Sequence, residues 1–180
     1  MSEKVLVLDF DGVIVKLNVE WPKVYSKISE LAGYPVTDLI TFWKNMFGTE
    51  LYEKANKIIE EYEMNALPKS TIYPDVHGAL KIFNGTIYLA SMQSQKVLES
   101  FLEKNELKAY FKEVLGRERF GVKRKQLEYI LEKERGKKIY FIDDLQRNID
   151  NCDDLNIKCI LIRRSEGETL LQKVKEILEV

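Results

Sequence analysis

An α/β fold, doubly wound around a mostly parallel five-stranded sheet, follows from three features of this 180-residue sequence. Short apolar runs alternate with helical stretches, the order expected of β-α-β units. The runs are rich in Val, Ile and Leu and lack polar alternation, as strands buried on both faces require. Two of them, Val5-Leu6-Val7-Leu8 and Ile139-Tyr140-Phe141-Ile142, stop at paired acids, and open α/β sheets place their chemistry at the carboxyl ends of strands.

The first run leads into Asp9-Phe10-Asp11-Gly12-Val13. Two carboxylates two residues apart at a strand end are costly unless a cation binds between them. Gly12 lets the chain turn sharply and leaves both acids facing one spot. The spacing permits divided labour. Asp9 can attack an electrophile to form an acyl-phosphate-type intermediate. Asp11 can protonate the leaving oxygen and later deprotonate a water. A hard divalent cation, Mg²⁺, is expected to screen the nucleophile from an anionic substrate.

From about Trp21 to Leu67 the sequence reads as helices. Val24, Ile28 and Leu31 recur at helical spacing before a stop at Gly33; Thr37-Asp38 offers a cap for a helix carrying Leu39, Ile40, Trp43 and Phe47. Thr49 can cap a third helix, and Pro68 closes the segment. A parallel sheet normally continues after one crossover helix, so three in succession suggest an inserted helical unit.

The core resumes at Tyr73-Pro74-Asp75, with Asp75 expected to cap a helix through Phe83. The run Thr86 to Ala90 ends at Ser91, whose hydroxyl, beside free backbone N–H groups, can bind a phosphate oxygen. Phe111 to Leu115 reads as a short strand, Gly116 to Gly121 as a loop, and Lys123 and Lys125 open a helix where cations are unfavourable without an anionic partner. Asp143-Asp144 ends the next strand. A last strand over 157–162 and a helix over 169–178 close the chain. The one histidine, His77, is far in sequence from these groups and is read as structural or surface.

Composition bounds the function. Apolar residues make up 45% and charged residues 32%, as in a globular chain, and the net charge of −1 provides neither a basic field for nucleic acid nor a polybasic membrane tag. No apolar run approaches the roughly 20 residues that span a bilayer, and no signal peptide is expected. The two cysteines, Cys152 and Cys159, lack a metal-binding spacing and are read as small buried thiols in a reducing cytoplasm.

The motif Asp9-Phe10-Asp11-Gly12-Val13, the Ser91 strand end, the lysine before a helix and Asp143-Asp144 occur in the order that resembles the haloacid dehalogenase-like hydrolase superfamily. The resemblance implies that Asp9 is the nucleophile, Asp11 the general acid/base and Ser91 a phosphate ligand. It also implies a lysine, Lys123 or alternatively Lys125, that binds both Asp9 and a phosphate oxygen. Most members carry Pro after this lysine, whereas this chain has Arg124. The metal set implied is Asp9, Asp11, Asp143 and Asp144, with Asn148 where many members have a further Asp. The helical insertion falls where the family carries a cap, giving a core of residues 1–15 and 69–180 and a cap of 16–68.

The resulting expectation is a cytoplasmic, Mg²⁺-dependent phosphatase that hydrolyses a small phosphorylated metabolite through an aspartyl-phosphate. Asp11 argues against carbon–halogen cleavage. A sugar phosphomutase, a phosphonate hydrolase using a cap lysine (Lys16 or Lys23) and a non-catalytic binding protein remain alternatives. Lys16, Asn18, Trp21 and Tyr25 are the nearest candidates for substrate selection. Substrate identity and oligomeric state are not encoded in any readable pattern.

Overall fold

The computed structural model describes residues 3–152 and 154–180. The chain runs through β1 (Lys4–Leu8), β2 (Val15–Lys16), α1 (Trp21–Ala32), α2 (Leu39–Met46), α3 (Glu50–Ala66) and β3 (Thr71–Ile72). It continues through α4 (Val76–Ile82), β4 (Thr86–Ala90), α5 (Gln95–Lys104), β5 (Glu113–Leu115), α6 (Arg117–Phe120) and α7 (Lys123–Lys133). It ends with β6 (Lys138–Asp143), α8 (Gln146–Asp150), β7 (Lys158–Leu161) and α9 (Leu170–Glu179).

Five strands form one sheet in the order β5-β4-β1-β6-β7, and every pairing in it is parallel. Alternate side chains of β1 explain the two helical layers. Leu6 and Leu8 face a cluster with Leu80 of α4, Leu98 and Phe101 of α5, and Val174 and Ile177 of α9. Val5 and Val7 face the other side, with Leu127 and Ile130 of α7. The chain moves outward from β1 to β4 and β5, then crosses back to β6 and β7. The winding therefore reverses between β1 and β6, the place where open α/β sheets bind ligands.

Helices α1 to α3 pack around an apolar cluster of their own, including Val24, Ile28, Phe42, Trp43, Tyr52 and Ile59. Their caps follow the sequence signals. Asp38 accepts from the Ile40 N–H at 3.1 Å, Thr49 accepts from the Tyr52 N–H at 3.2 Å, and Gly33 ends α1 at a φ of 77°. The short antiparallel pair β2–β3 joins the two ends of this helical segment to the sheet. It replaces the plain connector expected over residues 14–18, because a two-residue strand leaves no periodicity to read.

Three other expectations are corrected. The segment after Gly116 is not a loop, since Arg117–Phe120 forms one helical turn. Asp75 precedes α4 but makes no side-chain cap. Its carboxylate instead accepts two bonds from the Arg164 guanidinium, at 2.8 and 3.0 Å, and one from the Leu171 N–H at 3.1 Å. Cys152 and Cys159 are not free thiols; they are bonded to each other, because the turn after α8 brings its end beside β7. The cysteine argument for a reducing compartment therefore does not hold. Among the described residues no helix is long and apolar enough to cross a membrane.

Arg164 also donates to the carbonyl of Val13, so it ties the turn after β1 to α4 and α9. Its pair with Asp75 is nearly buried. Removing one member of a buried pair leaves an uncompensated charge, which typically costs about 3–5 kcal/mol. Asp75→Ala should lose about 3 kcal/mol in denaturant unfolding, and adding Arg164→Met should restore part of it. A loss below about 0.5 kcal/mol, the size of an ordinary surface change, would contradict this role.

Candidate active site

The end of β1 and the end of β6 lie side by side, so Asp9 and Asp143 emerge next to one another. Asp9, Asp143 and Asp144 each offer a carboxylate oxygen, all within 4.8 Å of one another, with Asp144 the least buried. The turn after β1 makes this possible. Gly12 adopts a φ of 80°, and a Cβ there would collide with the Asp144 carboxylate.

One cation answers these acids. Lys123, the first residue of α7, is buried and places its Nζ 2.6 Å from Asp9 Oδ1 and 3.6 Å from Asp143 Oδ2; it also donates to the carbonyl of Ala90 at the end of β4. Lys125 points away, is exposed and pairs with Glu128 at 3.7 Å. The open alternative between the two lysines is thus settled in position: Lys123 reaches Asp9 and Lys125 does not.

Asp143 is fixed from three sides. Its Oδ1 accepts from the Leu145 N–H at 2.8 Å, and its Oδ2 accepts from the Asn148 amide at 2.9 Å as well as facing Lys123. Asn148 therefore supports Asp143. Asp11 lies outside the group of three carboxylates. Its Oδ1 accepts from the Leu17 N–H at 2.9 Å, and its carboxylate faces the same cavity. Ser91 is fully buried, and its hydroxyl is engaged with the Gln93 side chain rather than open to that cavity. Gln126 holds the surrounding loop through the carbonyls of Ser91, Leu115 and Gly116.

The electrostatics reflect crowding. Burial, reinforced by Asp143 and Asp144, pushes the Asp9 carboxyl up, while the Lys123 charge pulls it down. Asp144 is pushed up to about 6 by burial first, then by Asp143 and Asp11. Burial also raises Asp11, against the hydrogen bonds from Leu17 and Gly12. Three clustered carboxylates with one ammonium leave excess negative charge, and all the donors are hard oxygens. This set fits a small divalent cation such as Mg²⁺.

A cavity of about 460 Å³ opens over these groups and is roofed by α1 to α3. Trp21 and Tyr25 line it, as expected, but Lys16 and Asn18 do not. Lys16 lies exposed on β2, and Asn18 is bonded to Ser70 and Lys69 where the chain leaves the helical segment. Lys23 pairs with Glu20 on the surface. The sequence reading missed Trp43, Met92, Glu63 and Arg117 as lining residues. The last two form a buried ion pair of 2.6 Å across 54 residues of chain, a separation that carries no local signal.

Among curated proteins none matches the chain. A HAD phosphatase from Thermococcus onnurineus is 17% identical, with a TM-score of 0.64 over 97% of each chain. A hydrolase from Streptococcus pneumoniae TIGR4 is 19% identical, with a TM-score of 0.62 over the whole of both chains. A haloacid dehalogenase-like family hydrolase, also from Streptococcus pneumoniae, is 14% identical with a TM-score of 0.64, over 95% of this chain and 90% of its own. At such identities the likeness establishes the fold alone. The sequence pattern of the family described as "Haloacid dehalogenase-like hydrolase" matches residues 6–162, which include the strand-end acids, Ser91 and Lys123. The chain therefore belongs to the haloacid dehalogenase-like hydrolases.

Proposed function

We propose that this hydrolase is a phosphatase acting on a small phosphorylated metabolite, with Asp9 as the group that accepts the phosphoryl. The observation that carries this reading is the Lys123–Asp9–Asp143 contact, beside Asp11, at the floor of the cavity. A structural neighbour described as a HAD phosphatase supports the same class. We read residues 16–68 as a cap over residues 1–15 and 69–180.

In this mechanism Lys123 holds the Asp9 carboxylate in one orientation, so that its oxygen attacks phosphorus in line with the leaving alcohol. The bond from phosphorus to the ester oxygen breaks as the Asp9–phosphorus bond forms. Asp11, kept protonated more readily by its burial, gives its proton to the departing oxygen. Asp11, now ionised, takes a proton from water. The hydroxide formed displaces Asp9 and releases phosphate. The Ser91 hydroxyl contributes by exchanging its Gln93 partner for a phosphate oxygen. Asp9, Asp143 and Asp144 would hold Mg²⁺. When bound, the ion supplies charge neutralisation between the carboxylates and the phosphoryl oxygens. No lysine from the helical segment lines the cavity among the described residues, which leaves the phosphonate-hydrolase alternative without its Schiff-base partner.

A panel of phosphate monoesters assayed with and without Mg²⁺ tests the assignment. Asp9→Asn should reduce turnover to background while the unfolding midpoint is retained. Lys123→Ala should lower kcat by about 10²–10³, the usual effect of removing one charge-stabilising donor, whereas Lys125→Ala should stay near the parent enzyme. Turnover by Asp9→Asn at the parent rate would exclude covalent catalysis by this residue.

Metal binding has its own readout. Protons compete with the cation for Asp144, whose carboxyl titrates at about 6 in the metal-free protein. Mg²⁺ should raise Tm more at about pH 7.5 than at about pH 5. Without metal the sign reverses: a carboxyl raised above its unfolded value stabilises the fold below the unfolded pKa, and that contribution is lost as pH rises through about 6. An Mg²⁺ shift independent of pH, or one retained in Asp144→Asn, would remove Asp144 from the metal set.

A further inference from the structure

Away from the acids, the wall of the cavity is apolar. Trp21 and Tyr25 of α1, Ile40 and Trp43 of α2, Ile59 of α3 and Met92 after β4 form it. Its remaining charged groups are Glu63 and Arg117, and they are committed to each other and to the backbone around them. Arg117 Nε donates to Asn56 Oδ1 at 2.6 Å, and its Nη1 donates to Glu63 Oε1 at 2.6 Å and to the Met92 carbonyl at 3.2 Å. Glu63 Oε2 accepts from the Ser94 N–H at 3.2 Å. The other face of the guanidinium lies on the Trp43 ring, 5.0 Å from its centroid. Arg117 Nη2 donates to the Asn56 carbonyl at 3.4 Å, and the Arg117 and Glu63 side chains are both buried, so the pair is shielded from a ligand that does not open it.

These commitments decide what the cavity can accept beyond the phosphate. A sugar or polyol would bring several hydroxyls out of water against a wall that is mostly hydrocarbon; the neutral polar side chains there are Trp21, Tyr25, Trp43, Gln93 and Asn148, and the last two are already engaged with Ser91 and Asp143. Each hydroxyl left unpaired is a loss of binding. A carboxylate or a second phosphate would need a free cation. Among the described residues lining the cavity, the cations are Lys123, held by Asp9 and Asp143, and Arg117, held by Glu63. An aromatic or branched hydrocarbon group, by contrast, gains from contact with Trp21, Ile40 and Ile59 and leaves no polar group stranded.

Resting on the phosphatase reading above, we infer that the alcohol half of the substrate is apolar, an aromatic or branched hydrocarbon group the size of one ring, carrying no second anion. The phosphate faces Asp9 and Lys123, and the hydrocarbon lies under α1 and α2. The Arg117–Glu63 pair acts as a strut between α6 and α3 that braces the roof over it. About 460 Å³ accommodates a molecule of that size.

Binding separates this inference from the phosphatase reading, because phosphonates bind without being hydrolysed. Calorimetry in Mg²⁺ buffer should show benzylphosphonate binding about 10- to 100-fold more tightly than methylphosphonate, the range that burial of one ring supplies. Phosphonoacetate, with its added carboxylate, should bind no better than methylphosphonate. Ile40→Asn should reduce the benzyl preference and leave methylphosphonate affinity in place. Phosphonoacetate binding as tightly as benzylphosphonate, or a benzyl preference unchanged in Ile40→Asn, would overturn the inference. Turnover of benzyl phosphate against glucose 6-phosphate, both esters of unactivated alcohols, reports separately: a higher kcat/KM for the sugar ester overturns the inference. Hydrolysis of neither ester alongside tight benzylphosphonate binding overturns the phosphatase reading and upholds the binding preference.

Discussion

The contact of the Lys123 ammonium with Asp9 and Asp143 is what the rest of the arrangement depends on. It joins the first residue of α7 to the ends of two neighbouring strands, and it places one positive charge among three clustered carboxylates. The sheet imposes this meeting. β1 and β6 are adjacent and in parallel register, so both deliver their terminal acids to the same edge. Gly12 lets the chain turn out of the way with a backbone conformation that other residues rarely adopt, in a space no side chain can share with Asp144. Burial first, and then the excess of negative charge, raises the affinity of Asp9 and Asp144 for protons, and the same excess creates the demand for a hard cation.

Much of this was legible in the sequence because it is written locally. A run of buried apolar residues that stops at an acid needs no partner to be recognised, and Asp9, Asp11, Asp143 and Asp144 all lie where such runs stop. The caps at Asp38 and Thr49 were equally local. What escaped notice depends on residues far apart in the chain. Asp75 has the position of a helix cap, but Arg164, 89 residues on, captures its carboxylate. The Arg117–Glu63 pair gives no sign in either neighbourhood. The bond between Cys152 and Cys159 follows from where a turn deposits them, which composition does not encode. Ser91 lay in between: its place at a strand end was readable, while the direction of its hydroxyl, toward Gln93, was set by a rotamer.

The cavity divides into a charged floor and an apolar roof, and the two have different origins. The floor belongs to strand ends and is dictated by the sheet. The roof belongs to helices with their own apolar cluster, so its lining can change without disturbing the strand-end acids. The ion pair from α6 to α3 links the two, since Arg117 follows β5 directly and Glu63 sits within the roof. In the proposed reading, chemistry and selection are carried by separate layers, with the Lys123 contact in one and the aromatic wall in the other.

The central claim is that Asp9 becomes covalently phosphorylated. Its most direct test is peptide mass spectrometry of the Asp11→Asn protein, mixed with an aryl phosphate in Mg²⁺ buffer and quenched in acid. An aryl leaving group needs little protonation, so the first step survives while the loss of the base slows the second. The account predicts one phosphoryl group on the peptide that contains Asp9, accumulating toward one per chain. An unmodified Asp9 in a sample whose parent enzyme turns the same ester over, or a phosphoryl group found on Ser91 instead, would contradict it.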